Sequence, residues 1–151
     1  MSDRALSPVL GVVCLLAVTV LLAAVVGASA TVEPPASPAA ASFEASAEPP
    51  GEITILHRGG DTIDPAEMDL RVRIEDEPLD RQPPVPFFSA RGFESGPTGP
   101  FNSATSTKWR AGEAASFTMA GTNSPPMRSG DTVRIEIFVD EQPIAQLETT
   151  V

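Results

Sequence analysis

Cysteine, histidine and lysine occur once each in this chain, and ten basic residues stand against twenty acidic ones. Each shortage removes a class of function. With Cys14 alone, no intramolecular disulfide can form. With His57 as the one histidine, the chain lacks the parts for a nucleophile–base pair or a zinc site. With Lys108 the one lysine, no clustered positive charge is present to bind phosphates, which excludes nucleic acid as a partner. Carboxylates are dense from Asp61 to Asp80, as in "DTIDPAEMD", yet the spacing and glycine of an EF-hand are missing. That stretch therefore reads as a solvated acidic face. His57 lies in an expected strand and reads as a residue at the sheet surface. No pattern calls for a metal or cofactor, and the chain reads as non-enzymatic. Asn102 and Asn123 head "NSA" and "NSP", which match no N-glycosylation signal. An acidic, lysine-poor surface suits a protein hydrated in concentrated salt, where screening weakens self-repulsion. An ordinary acidic secreted protein would share that composition.

What is abundant is apolar residues at the start. Leu6 to Val32 carries no charge, and Val9 to Ala30 is nearly all Val, Leu, Ala and Gly. This exceeds the ~20 apolar residues a helix needs to cross a bilayer. The run is apolar on every side, so the expected helix, residues 6–32, must lie in lipid or among helices of its own kind. Ser7 suits its N-cap and Pro8 its first turn, where a missing N–H costs nothing. Val13 precedes Cys14 where lipid attachment wants a small residue, so Cys14 is read as unmodified. Three fates fit such a segment. As a secretory signal it has the small-x-small tripeptide Ala28-Ser29-Ala30, but its length is excessive and Arg4 is offset by Asp3. As a permanent anchor it would keep Arg4 cytoplasmic and the acidic remainder outside. As a trimmed segment it would lose a few residues and keep the helix.

Residues 33–50, rich in Pro, Ala, Ser and Glu, read as a semi-extended spacer. Beyond them the hydrophobic period changes to two. Ile53 and Ile55 share a face in "EITILH", Leu70, Val72 and Ile74 in "DLRVRI", and Val133, Ile135, Ile137 and Val139 in "DTVRIEIFVD". "DEQP" (140–143) should turn the last of these into "IAQLETTV", and "ASFTM" should add a strand. "RGGD", "RAGE" and "RSGD" place Arg, a small residue, Gly and an acid before strands; Gly supplies positive φ and the acid can hold backbone N–H groups just past it. "RGGD" has one residue too many for an integrin-binding tripeptide. Residues 51–151 should form a β-sandwich head, with no second helical pattern. Its long loop, 81–107, carries Phe87, Phe88, Phe93 and Phe101. These either pack back on the sandwich or present a contact surface.

"DRALSPVLGVVCLLAVTVLLAAVVGA" closely resembles the start of archaeal type IV pilins, particularly haloarchaeal ones. The resemblance implies a leader, residues 1–5, removed by a prepilin peptidase between Ala5 and Leu6, with the Arg4–Ala5 bond as the neighbouring alternative and Arg4 completing the cleavage motif. It implies an α+β chain: a hydrophobic α-helix followed by an all-β immunoglobulin-like sandwich head. It also implies a homo-oligomeric helical filament at the cell surface, built with pilus assembly machinery from a membrane-inserted precursor and used for adhesion. Ala17, Ala23, Ala24, Gly27 and Ala28 would then permit close helix packing, Ala23 and Gly27 forming a small-xxx-small pair. Leu10 stands where many bacterial type IV pilins carry a glutamate, so docking through a charge is not implied.

Overall fold

The computed structural model describes residues 6–29, 39–105 and 108–151. They fall into two units, one within residues 1–37 and one within 38–151, each with its own internal order.

The first unit is helix α1, Leu6–Ser29. At 1.5 Å per residue it is ~36 Å long, enough for the ~30 Å hydrocarbon core of a bilayer. Pro8 lies in the first turn, where it breaks no backbone hydrogen bond. The helix already begins at Leu6, so Ser7 sits inside that turn rather than ahead of it as a cap. From Pro8 to Ala28 every side chain is exposed, on all faces. Thr19, the one hydroxyl in the middle of this run, donates to the Leu15 carbonyl at 2.8 Å and so has a partner inside its own helix. The expected continuation from Ala30 to Val32 lies outside the described residues.

The second unit is two antiparallel sheets of seven strands. One holds β1 (Ala41–Glu48), β2 (Glu52–Gly60) and β5 (Ala114–Thr118) in the order β1-β2-β5. The other holds β3 (Met68–Ile74), β4 (Glu77–Pro78), β6 (Thr132–Val139) and β7 (Gln142–Thr150) in the order β4-β3-β6-β7. The alternation seen in sequence places the core. Met68, Leu70, Val72 and Ile74 of β3 point inward, as do Val133, Ile135, Ile137 and Val139 of β6. Opposite them lie Ile53 and Ile55 of β2 and Ala115 and Phe117 of β5. Between the sheets, Phe101 packs edge-on to Trp109 with ring centroids 5.1 Å apart, and Phe43 lies 5.1 Å from the same indole. Such ring pairs add directional contact to the burial itself.

Two expectations are corrected. The spacer assigned to 33–50 gives way at Ala41 to strand β1, paired with β2 from Ala41↔Gly60 to Glu48↔Glu52. Its inward residues are Phe43, Ala45 and Ala47, so only one large side chain marked the strand, and alanine carries little β signal. His57, expected at the sheet surface, is fully buried. It has the same parity as Ile53 and Ile55 and therefore faces the core.

The long loop packs back. Phe87, Phe93 and Phe101 are buried, while Phe88 is 57% exposed and is the one large exposed hydrophobic side chain described outside α1. The loop also closes the free edge of β5: Thr98 N–H donates to the Ser116 carbonyl (2.8 Å), Ser116 N–H to Thr98 Oγ1 (3.0 Å), and Glu94 N–H to the Thr118 carbonyl (2.9 Å). Gly99 permits this approach, since a Cβ there would sit 2.5 Å from the Ala114 carbonyl oxygen. At the other sheet, beyond the two-residue β4, the Gln82 amide substitutes for a strand. Its Oε1 accepts from Val72 N–H (2.7 Å) and its Nε2 donates to the Val72 carbonyl (3.1 Å). The edge of β5 is thereby closed to other chains along Ser116 to Thr118.

Candidate functional site

The sequence placed its candidates on the helix. Of the expected cleavage motif, Arg4 and Ala5 lie outside the described residues, and Leu6 is the first residue of α1. A cut before Leu6 would leave the described helix whole. The five packing candidates are all exposed on α1. At 100° per residue, Ala17, Ala24 and Ala28 fall within ~40° of one another, while Ala23 and Gly27 form a second pair ~100° away. The set thus lines two stripes rather than one. Gly27 is informative because nothing lies within 4 Å of the position its Cβ would take. Glycine costs a helix about 1 kcal/mol relative to alanine, and no neighbour among the described residues requires it.

The polar residues of the head do structural work. His57 Nε2 donates to the Asp61 carbonyl at 2.9 Å, and its ring lies edge-on to Phe43 and Trp109 at 4.9 and 5.7 Å. Its Nδ1 is buried with no hydrogen-bond partner. The three Arg-x-Gly-acid turns have positive φ at Gly60, Gly112 and Gly130, as expected. In two of them the acid reaches back rather than forward: Glu113 Oε2 accepts from Arg110 N–H and Asp131 Oδ2 from Arg128 N–H, each at 2.8 Å. In the third, Asp61 holds the start of the head. Ala40 N–H donates to Asp61 Oδ2 (3.0 Å), and Asp61 N–H to the Ala40 carbonyl (2.9 Å). A Cβ on Gly60 would lie 2.2 Å from the same Ala40 oxygen. His57, Gly60 and Asp61 therefore fasten the chain where it joins the sandwich, a role the sequence showed only as turn punctuation.

Several acids between Asp61 and Asp80 are likewise in use. Asp64 accepts from Lys108 Nζ (2.6 Å) and Ala66 N–H (3.0 Å). These bonds, the lysine's first, hold the Asp64 carboxyl below its ordinary range, and Asp64 in turn raises Lys108. Asp76 pairs with Arg134, whose other nitrogen meets Glu148 at 3.1 Å, and both carboxylates hold that guanidinium above its ordinary value. Among the described residues no three His, Cys, Asp or Glu side chains converge as a metal site.

The described residues thus hold one helix long and apolar enough to cross a membrane, by length and composition, and a self-contained pair of antiparallel sheets. Residues 4–43 match the family model described as Archaeal Type IV pilin, N-terminal. The match runs from Arg4, two residues ahead of Leu6, to Phe43 of β1, so it is the N-terminal segment of the chain that is similar to this family. No curated protein matches the chain.

Proposed function

We propose that the chain is a structural subunit of an archaeal type IV pilus-like surface filament. The observation that carries this reading is the pilin match over residues 4–43, which coincides with a 24-residue helix exposing apolar side chains on all sides. Such a helix has two stable environments, a bilayer or a bundle of like helices. It would wait in the membrane as a precursor, lose residues 1–5 to a prepilin peptidase at Arg4-Ala5-Leu6, and pass into a filament core with little change in its surroundings. Ala17, Ala24 and Ala28 on one stripe and Ala23 and Gly27 on another would let two neighbouring helices approach closely. Contacts of this heterologous kind do not close and so build open helical fibres.

The head, on this reading, stands outside the cell and serves adhesion. The strand order supports an immunoglobulin-like fold: β1, β2 and β5 take the places of strands A, B and E, and β3, β6 and β7 those of C, F and G. The fourth strand lies beside β3, and the loop along β5 occupies the edge it would otherwise cover. Twenty acids, ten bases and a single lysine suit a salt-rich exterior. Electron microscopy of cells with and without this chain tests the reading. Loss of a class of filaments on deletion, with return on complementation, is expected; unchanged filaments that carry none of the chain would overturn it.

A further inference from the structure

The head presents one aromatic side chain that its own core does not take up. Phe88 is exposed, although its neighbours Phe87 and Phe93 are buried with ring centroids 5.7 Å apart. Backbone bonds hold the segment on both sides. Phe87 N–H donates to the Phe101 carbonyl, and Gly96 N–H to the Phe88 carbonyl, each at 2.8 Å. The Ser95 hydroxyl donates to Ser89 Oγ at 3.3 Å. Phe88 thus stands on an ordered turn, and burying it against a partner carries little ordering cost. Arg91, further along the same turn, is exposed and in no ion pair among the described residues.

A cleft of matching chemistry lies on the other side of the domain. Between β6 and β7 the register shifts, pairing Ile137 with Ala145 but Phe138 with Pro143, so Ile144 is left without a partner. Bulges of this kind open a ladder locally and re-aim side chains. Beside it a cleft of about 400 Å³ is lined by Phe138, Pro143, Ala145, Gln146 and Glu136. Strand order separates the cleft from Phe88. β1 lies against β7, whereas β5 is at the far edge of its sheet from β1. Phe88 is bonded to Gly96, within the stretch that closes the edge of β5. Ring and cleft therefore occupy opposite edges of the sandwich, and one copy cannot bring them together.

We propose that Phe88 of one head enters the Phe138–Pro143 cleft of the next copy of this chain. The contact rests on the filament reading above and adds to it the surface through which the heads touch. At the lower end of the ~300–1,000 Å³ of small-ligand sites, the cleft has room for one phenyl ring, and an aromatic ring, a proline ring and a methyl group meet it there. Charge fixes the occupant as a second copy. Arg91 accompanies Phe88, and Glu136 lines the cleft without an ion pair among the described residues. Two other charges flank the cleft and offset each other: Asp69, across from Phe138, and Arg71, across from Glu136 with its guanidinium over the Phe138 ring, 4.5 Å from the centroid. On the Phe88 turn, Glu94 lines a separate cleft with Glu52. Because ring and cleft lie on opposite edges, every copy keeps one of each for its neighbours, a heterologous contact that extends without closing.

Substitutions in the full-length chain test this in cells. Phe88→Ala removes an exposed ring, costs the fold little, and should lower filament yield about ten-fold or more. Arg91→Ala and Glu136→Ala should each lower yield about three-fold, and together no more than about four-fold, because the second loss removes a partner already gone. A combined loss of about nine-fold, the product expected of independent sites, overturns the proposal. Parent-like yield with Phe88→Ala also overturns it, and if attachment to surfaces is then lost, the ring serves a foreign partner instead. A second measurement stands apart from filament formation. Membrane-bound full chain with Cys14→Ser, Ser89→Cys and Gln146→Cys, treated with a bis-maleimide, should give a ladder beyond the dimer, and adding Phe88→Ala should remove it. With Ser89→Cys or Gln146→Cys alone the chain should stay monomeric; dimers from either would mean that like surfaces meet, which overturns the contact. If the parent makes no filaments, the functional reading falls, and the ladder still decides the contact: multimers lost with Phe88→Ala support it, while monomers, or multimers that survive that change, overturn it.

Discussion

Gly60 shows how much one missing side chain can fix. Its φ is +103°, and an added Cβ would strike the Ala40 carbonyl oxygen at 2.2 Å. Gly60→Ala should therefore cost the head about 2–3 kcal/mol and lower its melting temperature by roughly 8–15 °C. Circular dichroism of the full chain in detergent would read this, and a melting point within about 2 °C of the parent would contradict it. The opposite sign is expected at Glu141. Asp140 and Glu141 turn β6 into β7 with φ of 49° and 63°, a left-handed pair that acids adopt at a cost and glycine does not. Glu141→Gly should stabilise the head by about 0.5–1 kcal/mol in the same melts; a fall in stability would show that the acid has a contact worth more than its strain. His57 carries the lesson about reading residues singly. Its type suggested the surface, while its position in the alternation put it beside Ile53 and Ile55 in the core.

Among elements, legibility followed the strength of the periodic signal. β6 could be read outright because four β-branched residues alternate with Thr132, Arg134 and Glu136 before Phe138 breaks the polar row, and the inward face of the pattern survives in the structure. β1 could not, because alanine fills two of its three inward positions and Pro, Ser and Glu surround it. The loop from 81 to 107 was open in sequence because proline and glycine erase periodicity. Only the fold shows Phe87, Phe93 and Phe101 serving the core while the backbone seals β5. Helix α1 was the plainest element of all, since a bilayer demands an uninterrupted apolar run and leaves no room for ambiguity. Its packing stripes make a prediction at this scale. Gly27→Leu keeps the helix apolar and should leave membrane insertion intact, yet it fills the gap at the tightest expected approach and should abolish or strongly reduce filaments. Membrane fractionation with electron microscopy would check both halves, and normal filaments would remove the close-packing argument.

For the whole molecule, the sequence and the structure speak to different parts. The resemblance to archaeal pilins rested on the first 30 residues, and the family match covers 4–43, so both lie mostly in the helical segment. The head is distinctive in what only strand order could reveal: which residues share an outer face. The central claim is that the helix is kept and only the leader is lost. Mass spectrometry of the mature N-terminus, on chain isolated from cells, tests it most directly. A mature protein beginning at Leu6 is the result expected of a subunit assembled through α1. A mature protein beginning at Thr31, after Ala28-Ser29-Ala30, would mean the helix was a discarded secretory signal, and an intact Met1 would mean a plain anchor; either would contradict the account.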